Sequence, residues 1–146
     1  MADALFLLKT AGAGLLAALA ALGLNHTLLK LRLGNGATLV LLGPLGEETL
    51  KTGLSLWTGA SLPGVHSVFG LVEGTWELAS TPRRERAGKL GPALAAVAGH
   101  SLFGLLAFLA YARYGGAGAA WLAGFLAHLG WNQLILAWHY FFQQKT

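Results

Sequence analysis

Between positions 5 and 142 the chain is a succession of long apolar stretches parted by short breaks, and this pattern decides the solvent before it decides the fold. The stretches run over about 5–29, 37–62, 63–79, 92–114 and 117–142. A helix needs roughly 17 to 25 apolar residues to cross a bilayer, so each stretch is long enough to span. Charged residues make up only 11% of the chain, against about 25% in an average soluble protein. The expectation is an all-α, polytopic bundle of about five transmembrane helices forming one membrane-embedded domain over residues 1–146.

The breaks carry helix-stopping residues. They are Lys30-Leu31-Arg32-Leu33-Gly34-Asn35-Gly36, Pro63-Gly64 and the loop from Ser80 to Lys89. The first stretch is read as a span and not as a cleaved leader, because Asp3 precedes the apolar run and no early cation does. With five spans, Lys30, Arg32, Arg83, Arg84, Arg86, Lys89 and Lys145 lie on one side, and only Lys9 and Arg113 on the other. The positive-inside rule then places the amino terminus outside and the carboxyl terminus in the cytoplasm, with the plasma membrane the expected location. The net charge of +4 is accounted for by cations beside anionic lipid, so no nucleic-acid partner is expected. His26, His66 and His139 lie near span ends and are read as interfacial. Trp138, Tyr140, Phe141 and Phe142 form an expected interfacial belt.

Against this background Glu47 and Glu48 stand out. They sit side by side in Gly43-Pro44-Leu45-Gly46-Glu47-Glu48-Thr49-Leu50-Lys51, inside the second span. A charge at the bilayer centre costs at least roughly 2.5 to 3.5 kcal/mol on insertion scales, so such residues face a protein interior and serve a function. Pro44 should kink the helix just before them. Counted from the cytoplasmic ends of their spans at 1.5 Å per residue, Glu48 lies roughly 17 Å deep, Glu73 about 10 Å, His100 about 14 Å and His128 about 21 Å. Four helices thus bring ionisable groups towards mid-membrane. Gly70 and Gly74, four apart, let a neighbouring helix come close beside Glu73. Asn132 shares a helix face with His128.

No cysteine is present, so disulfides and thiolate metal sites are excluded. Neutral imidazoles with one carboxylate suit a catalytic zinc, which keeps three protein ligands and an open position for water. A second carboxylate can take a proton from that water, and Asn132 can polarise a carbonyl or hold a ligand in place. Hydrolysis of a peptide bond inside the membrane is the expected chemistry. A proton or cation carrier, or a non-catalytic scaffold that retains the site, would place the same residue types at the same depth.

Glu47-Glu48-x-x-Lys51, Phe69-x-x-x-Glu73, His100 and His128-x-x-Trp131-Asn132 resemble, in order, the four motifs of the PrsW-type intramembrane metalloproteases. That family is related to the CAAX prenyl endopeptidases, which normally carry Arg after the paired glutamates and His where this chain has Glu73. The resemblance implies a zinc-dependent endopeptidase that cuts a membrane-associated or tail-anchored protein, the namesake activity being site-one cleavage of an anti-sigma factor. In the assignment it suggests, Glu47, Glu48 and Asn132 are catalytic, with Glu47 the general base. Glu73, His100 and His128 hold the metal, and Lys51, Phe69 and Trp131 support them.

Overall fold

The computed structural model describes residues 2–31 and 38–143, the side chains of Ala2, Thr38, Leu39, His139, Phe142 and Gln143 excepted. The expected turn at Arg32 to Gly36, Lys145, and the interfacial readings of His139 and Phe142 therefore lie outside what is described. The described residues are helical almost throughout. Helix α1 is Ala2–Lys30, α2 Gly43–Thr58, α3 Leu62–Ser80, α4 Arg86–Tyr114 and α5 Ala117–Gln143; a π-helical turn, Thr38–Leu42, leads into α2, and a 3-10 turn, Arg83–Glu85, leads into α4.

Several boundaries differ from the sequence reading for local reasons. The second stretch is helical without a break from the π turn into α2, Leu42 between them being in the αR region, and it ends at Thr58 and not at 62. Pro44, which has no N–H to donate, sits where the π turn gives way to the α-helix. Glu47 and Glu48 are thereby close to a helix start, as expected. The break after α2 lies at Gly59, whose φ of 67° is open to glycine without strain, and not at Pro63-Gly64. Ser61 caps α3 by accepting from the Gly64 N–H, and Pro63 sits in the first turn. Helix α4 begins at Arg86, so half of the expected loop is helical, and Pro92 lies inside the helix. Gly115, with φ 70°, makes the turn into α5.

By length and mean hydropathy, two helical stretches among the described residues are long and apolar enough to cross a membrane: Asp3–Lys30, and Arg83–Tyr114 with its leading 3-10 turn. The sequence reading expected five spans. Helix α2 is only 16 residues long, while α3 carries His66, Glu73 and Glu77, and α5 carries His128, Asn132 and Gln133, which lower their mean hydropathy.

Packing is nonetheless closed. Helix α1 contacts α2 and α3, α3 contacts α4, α4 contacts α5, and α5 returns to α2, so the five helices form a ring. The ring is polar inside and apolar outside. Glu48, Lys51, Ser55 and His66 are fully buried, whereas Leu7, Leu8, Leu94 and Leu134 are each about two-thirds exposed. The apolar core consists largely of alanines, Ala17, Ala18 and Ala21 around Phe69, and Ala107 and Ala120 beside Leu62. Small residues let the backbones approach. A Cβ at Gly70 would press on Ala96 O and on His100 Cβ, and one at Gly74 on Ala93 O. The close neighbour expected beside Glu73 is therefore α4.

Candidate metal centre

Helix α2 turns Gly43, Pro44, Glu47, Glu48, Lys51, Thr52 and Ser55 inward. These positions recur at three to four residues, so they form one stripe down a helix. The face that would be apolar in a soluble protein is here the polar one.

Glu48 lies at the centre of a buried network. Its Oε1 is 2.5 Å from Lys51 Nζ and 3.0 Å from His128 Nδ1, and its Oε2 is 2.9 Å from His66 Nε2. Helices α4 and α5 can approach because they carry glycine there: a Cβ at Gly104 would overlap His66, and one at Gly124 would overlap Glu48 Oε2. Lys51 Nζ is also 3.0 Å from His100 Nδ1 and 4.3 Å from the centre of the Phe69 ring. The lysine thus places its ammonium between two helices, bounded by a carboxylate, an imidazole and a π-face.

The hydrogen-bond partners assign the histidine tautomers. A lysine ammonium only donates, so His100 Nδ1 accepts and His100 Nε2–H donates to Glu73 Oε2 at 2.6 Å. His128 Nδ1–H donates to Glu48 Oε1, which leaves its Nε2 as the lone-pair nitrogen. Glu48 thus holds His128 with one ring nitrogen free, the arrangement that orients a metal-ligating imidazole, whereas His100, held by Glu73, has its lone-pair nitrogen against Lys51 and would have to give up that contact to ligate an ion. His66 Nδ1–H donates to the Leu62 carbonyl, so one proton must lie between its Nε2 and Glu48 Oε2.

Glu47 differs from its neighbour. Its Oε1 accepts from Asn25 Nδ2 at 2.9 Å, while its Oε2 is buried without a hydrogen-bond partner. Lys51 Nζ lies 3.8 Å and His128 Nδ1 3.9 Å from Oε2, both too distant for a hydrogen bond. One ligand atom each from Glu47, His100 and His128 lies within 4.8 Å of the other two, and all three residues are buried. This group is able to hold a metal ion, and the unsatisfied carboxylate oxygen fits a cation better than an empty space.

The sequence reading placed Glu73 in the ligand set and Glu47 outside it. The group that could hold a metal ion contains Glu47 and not Glu73. Glu73 stands outside the group, turned towards His100, with 46% of its side chain exposed to the surrounding cavities. Phe69 and Phe103 flank the imidazoles, Phe103 stacked on His128 at 4.9 Å, and Trp131 packs edge-on against Phe103. Asn132 lines two cavities, together with Glu73 and His128. The larger, about 370 Å³, opens between α4 and α5 and is walled by Ala95, Ala96, Gly99, Ile135 and Leu136. The smaller, about 220 Å³, lies towards α1 and α2 and reaches Asn25, Pro44 and Glu47.

Two participants escaped the sequence reading. His66 is fully buried, not interfacial. Its spacing of three residues from Phe69 and seven from Glu73 puts all three on one face of α3, which was the available signal. Asn25, a lone amide in an apolar helix, was the other.

No family model, curated protein or solved structure matches the chain.

Proposed function

We propose that the protein is an intramembrane metalloprotease of the PrsW type, with Glu47, His100 and His128 holding one zinc ion. The observation that carries this reading is the convergence of those three side chains from α2, α4 and α5, with one carboxylate oxygen left unpartnered. Bound there, zinc would supply Lewis-acid polarisation and a water acidic enough to act near neutral pH.

The chain's own groups account for the rest. An apolar segment of a membrane-associated protein, an anti-sigma factor among the candidates, enters the cavity between α4 and α5. Glu73, exposed to both cavities, accepts a proton from a water there as its oxygen attacks the peptide carbonyl carbon. The Asn132 amide donates to the carbonyl oxygen as negative charge gathers on it. The C–N bond then breaks, and Glu73 returns the proton to the leaving amine. Glu48 holds His128 in place without touching substrate, and Lys51, which would release His100 Nδ1 to the ion, stays paired with Glu48.

All five helices are read as spans. The support is the inverted distribution of polarity, fully buried Glu48, Lys51 and His66 under a surface of leucines. In water that surface would be far larger than the apolar patches monomers tolerate. The inserted orientation follows the cation asymmetry and puts the loop around Arg84 in the cytoplasm. A cysteine replacing the exposed Ser80 should react with an impermeant maleimide only after the cells are opened. Labelling from outside intact cells would reverse the topology.

The function is tested by elemental analysis of the purified protein in detergent. About one zinc per chain is expected for the parent, with His100→Ala and His128→Ala each losing it. Metal retained in both variants would remove these residues as ligands. A parent without metal would leave the Lys51-centred ion pairs as a purely structural network and end the protease reading.

A further inference from the structure

The geometry points to Asn25, on the amino-terminal helix, as the positioning residue that selects which oxygen of Glu47 is presented to the metal centre. This rests on the reading that Glu47 is a ligand.

Every motif that suggested the site lies between Gly43 and Asn132, and α1 reads from sequence as an apolar anchor. The structure gives it a second task. Leu24 packs on Gly46, where a Cβ would overlap its Cδ2, so α1 lies against α2 one residue before each member of the Asn25–Glu47 pair. Asn25 Nδ2 then donates to Glu47 Oε1 at 2.9 Å. A carboxylate on a glutamate stem can turn about its last torsion, which is broad and roughly two-fold. Tying one oxygen to a fixed amide removes that freedom and leaves Oε2 facing Lys51 and His128 without a hydrogen bond of its own.

The donor type matters as much as the reach. An amide N–H is neutral, so it orients Glu47 without cancelling the negative charge that a cation would need. Lys51, the one ammonium in contact with the cluster among the described residues, is committed instead to Glu48 at 2.5 Å and His100 at 3.0 Å, and stands off from Glu47 at 3.8 Å. Both carboxylates are therefore fixed, Glu48 by cationic and imidazole partners and Glu47 by an amide. Only Glu47 retains an unsatisfied oxygen.

Asn25 is half-buried and borders the smaller cavity, so substitution there does not open the core. The test titrates zinc and cobalt(II) into metal-stripped protein in detergent, comparing the parent with Asn25→Leu and Asn25→Gln. Outer partners of metal ligands typically contribute 10- to 100-fold in affinity. Asn25→Leu is expected to bind zinc about 10- to 100-fold more weakly and to shift the visible cobalt(II) bands, because the carboxylate that reaches the ion is no longer fixed. Asn25→Gln keeps an amide donor and should recover part of the affinity. If Asn25→Leu does not fold, Asn25→Ser, too short to reach Glu47, carries the same expectation. Parent-like affinity and an unchanged cobalt spectrum in Asn25→Leu or Asn25→Ser would overturn the positioning role while leaving the metal centre intact. A parent that takes up neither metal would overturn the protease reading and this inference together.

Discussion

Glu47→Gln is expected to fold, to keep its contact with Asn25, and to lose zinc. Glutamine retains an oxygen for the Asn25 amide but offers the metal a neutral and weaker donor. Removing a direct ligand should exceed the 10- to 100-fold typical of outer partners, so affinity should fall by at least about 100-fold, and hydrolysis with it. Glu73→Gln should behave in the opposite way, keeping zinc while losing turnover, because Glu73 lies outside the ligand group and faces the cavities. Elemental analysis and a cleavage assay on both variants separate the two carboxylates. Zinc retained by Glu47→Gln and lost by Glu73→Gln would restore the assignment first suggested by the motif resemblance.

Lys51→Met is the second large effect, and it concerns stability. The lysine is fully buried and paired with the equally buried Glu48. Breaking a buried pair by deleting one partner typically costs about 3–5 kcal/mol, and Glu48 would keep only its imidazole partners, His66 and His128. The variant should unfold correspondingly earlier in a detergent denaturation series. Adding Glu48→Gln should restore much of the loss, giving a strong coupling in a double-mutant cycle. A single variant as stable as the parent would mean that Lys51 does not compensate Glu48. A methionine side chain fills nearly the same length, so the comparison isolates charge from packing.

The helical class and the participation of Glu47, Glu48, Lys51, Glu73, His100 and His128 in one cluster were legible because polar residues inside apolar stretches must face one another, and Phe69 was legible only through the motif resemblance. The division of labour was not. Adjacent helical positions point about 100° apart, so the sequence tells that Glu47 and Glu48 differ but not which one meets the histidines. That depends on where α5 crosses α2, and Gly124 sets it by letting α5 press on Glu48. Boundaries slipped for a related reason: Pro63 read as a break and Pro92 as a span start, yet a first turn and the interior of a long helix accommodate them. His66 was misread from its position near a span end, because depth along a helix was weighed and its face was not.

With the five helices read as spans, as proposed, the polarity of the ring bears on how the chain would enter a bilayer. Helices α1 and α4 are long and apolar enough to cross a membrane, whereas α2 brings two glutamates and would be a poor substrate for insertion by itself. It carries a remedy in its own sequence. Lys51 follows Glu48 by three residues and pairs with it along the same helix, so one of the two acidic charges is offset before any other helix arrives. Insertion would then proceed from the apolar pair outward, with α2 seated against α1 through Asn25 and Glu47, and α3 and α5 following as His66 and His128 find Glu48. On this view the same hydrogen bonds that shape the metal centre are the ones that recruit the less apolar helices, so a lesion at the centre should also be visible as incomplete membrane integration during synthesis.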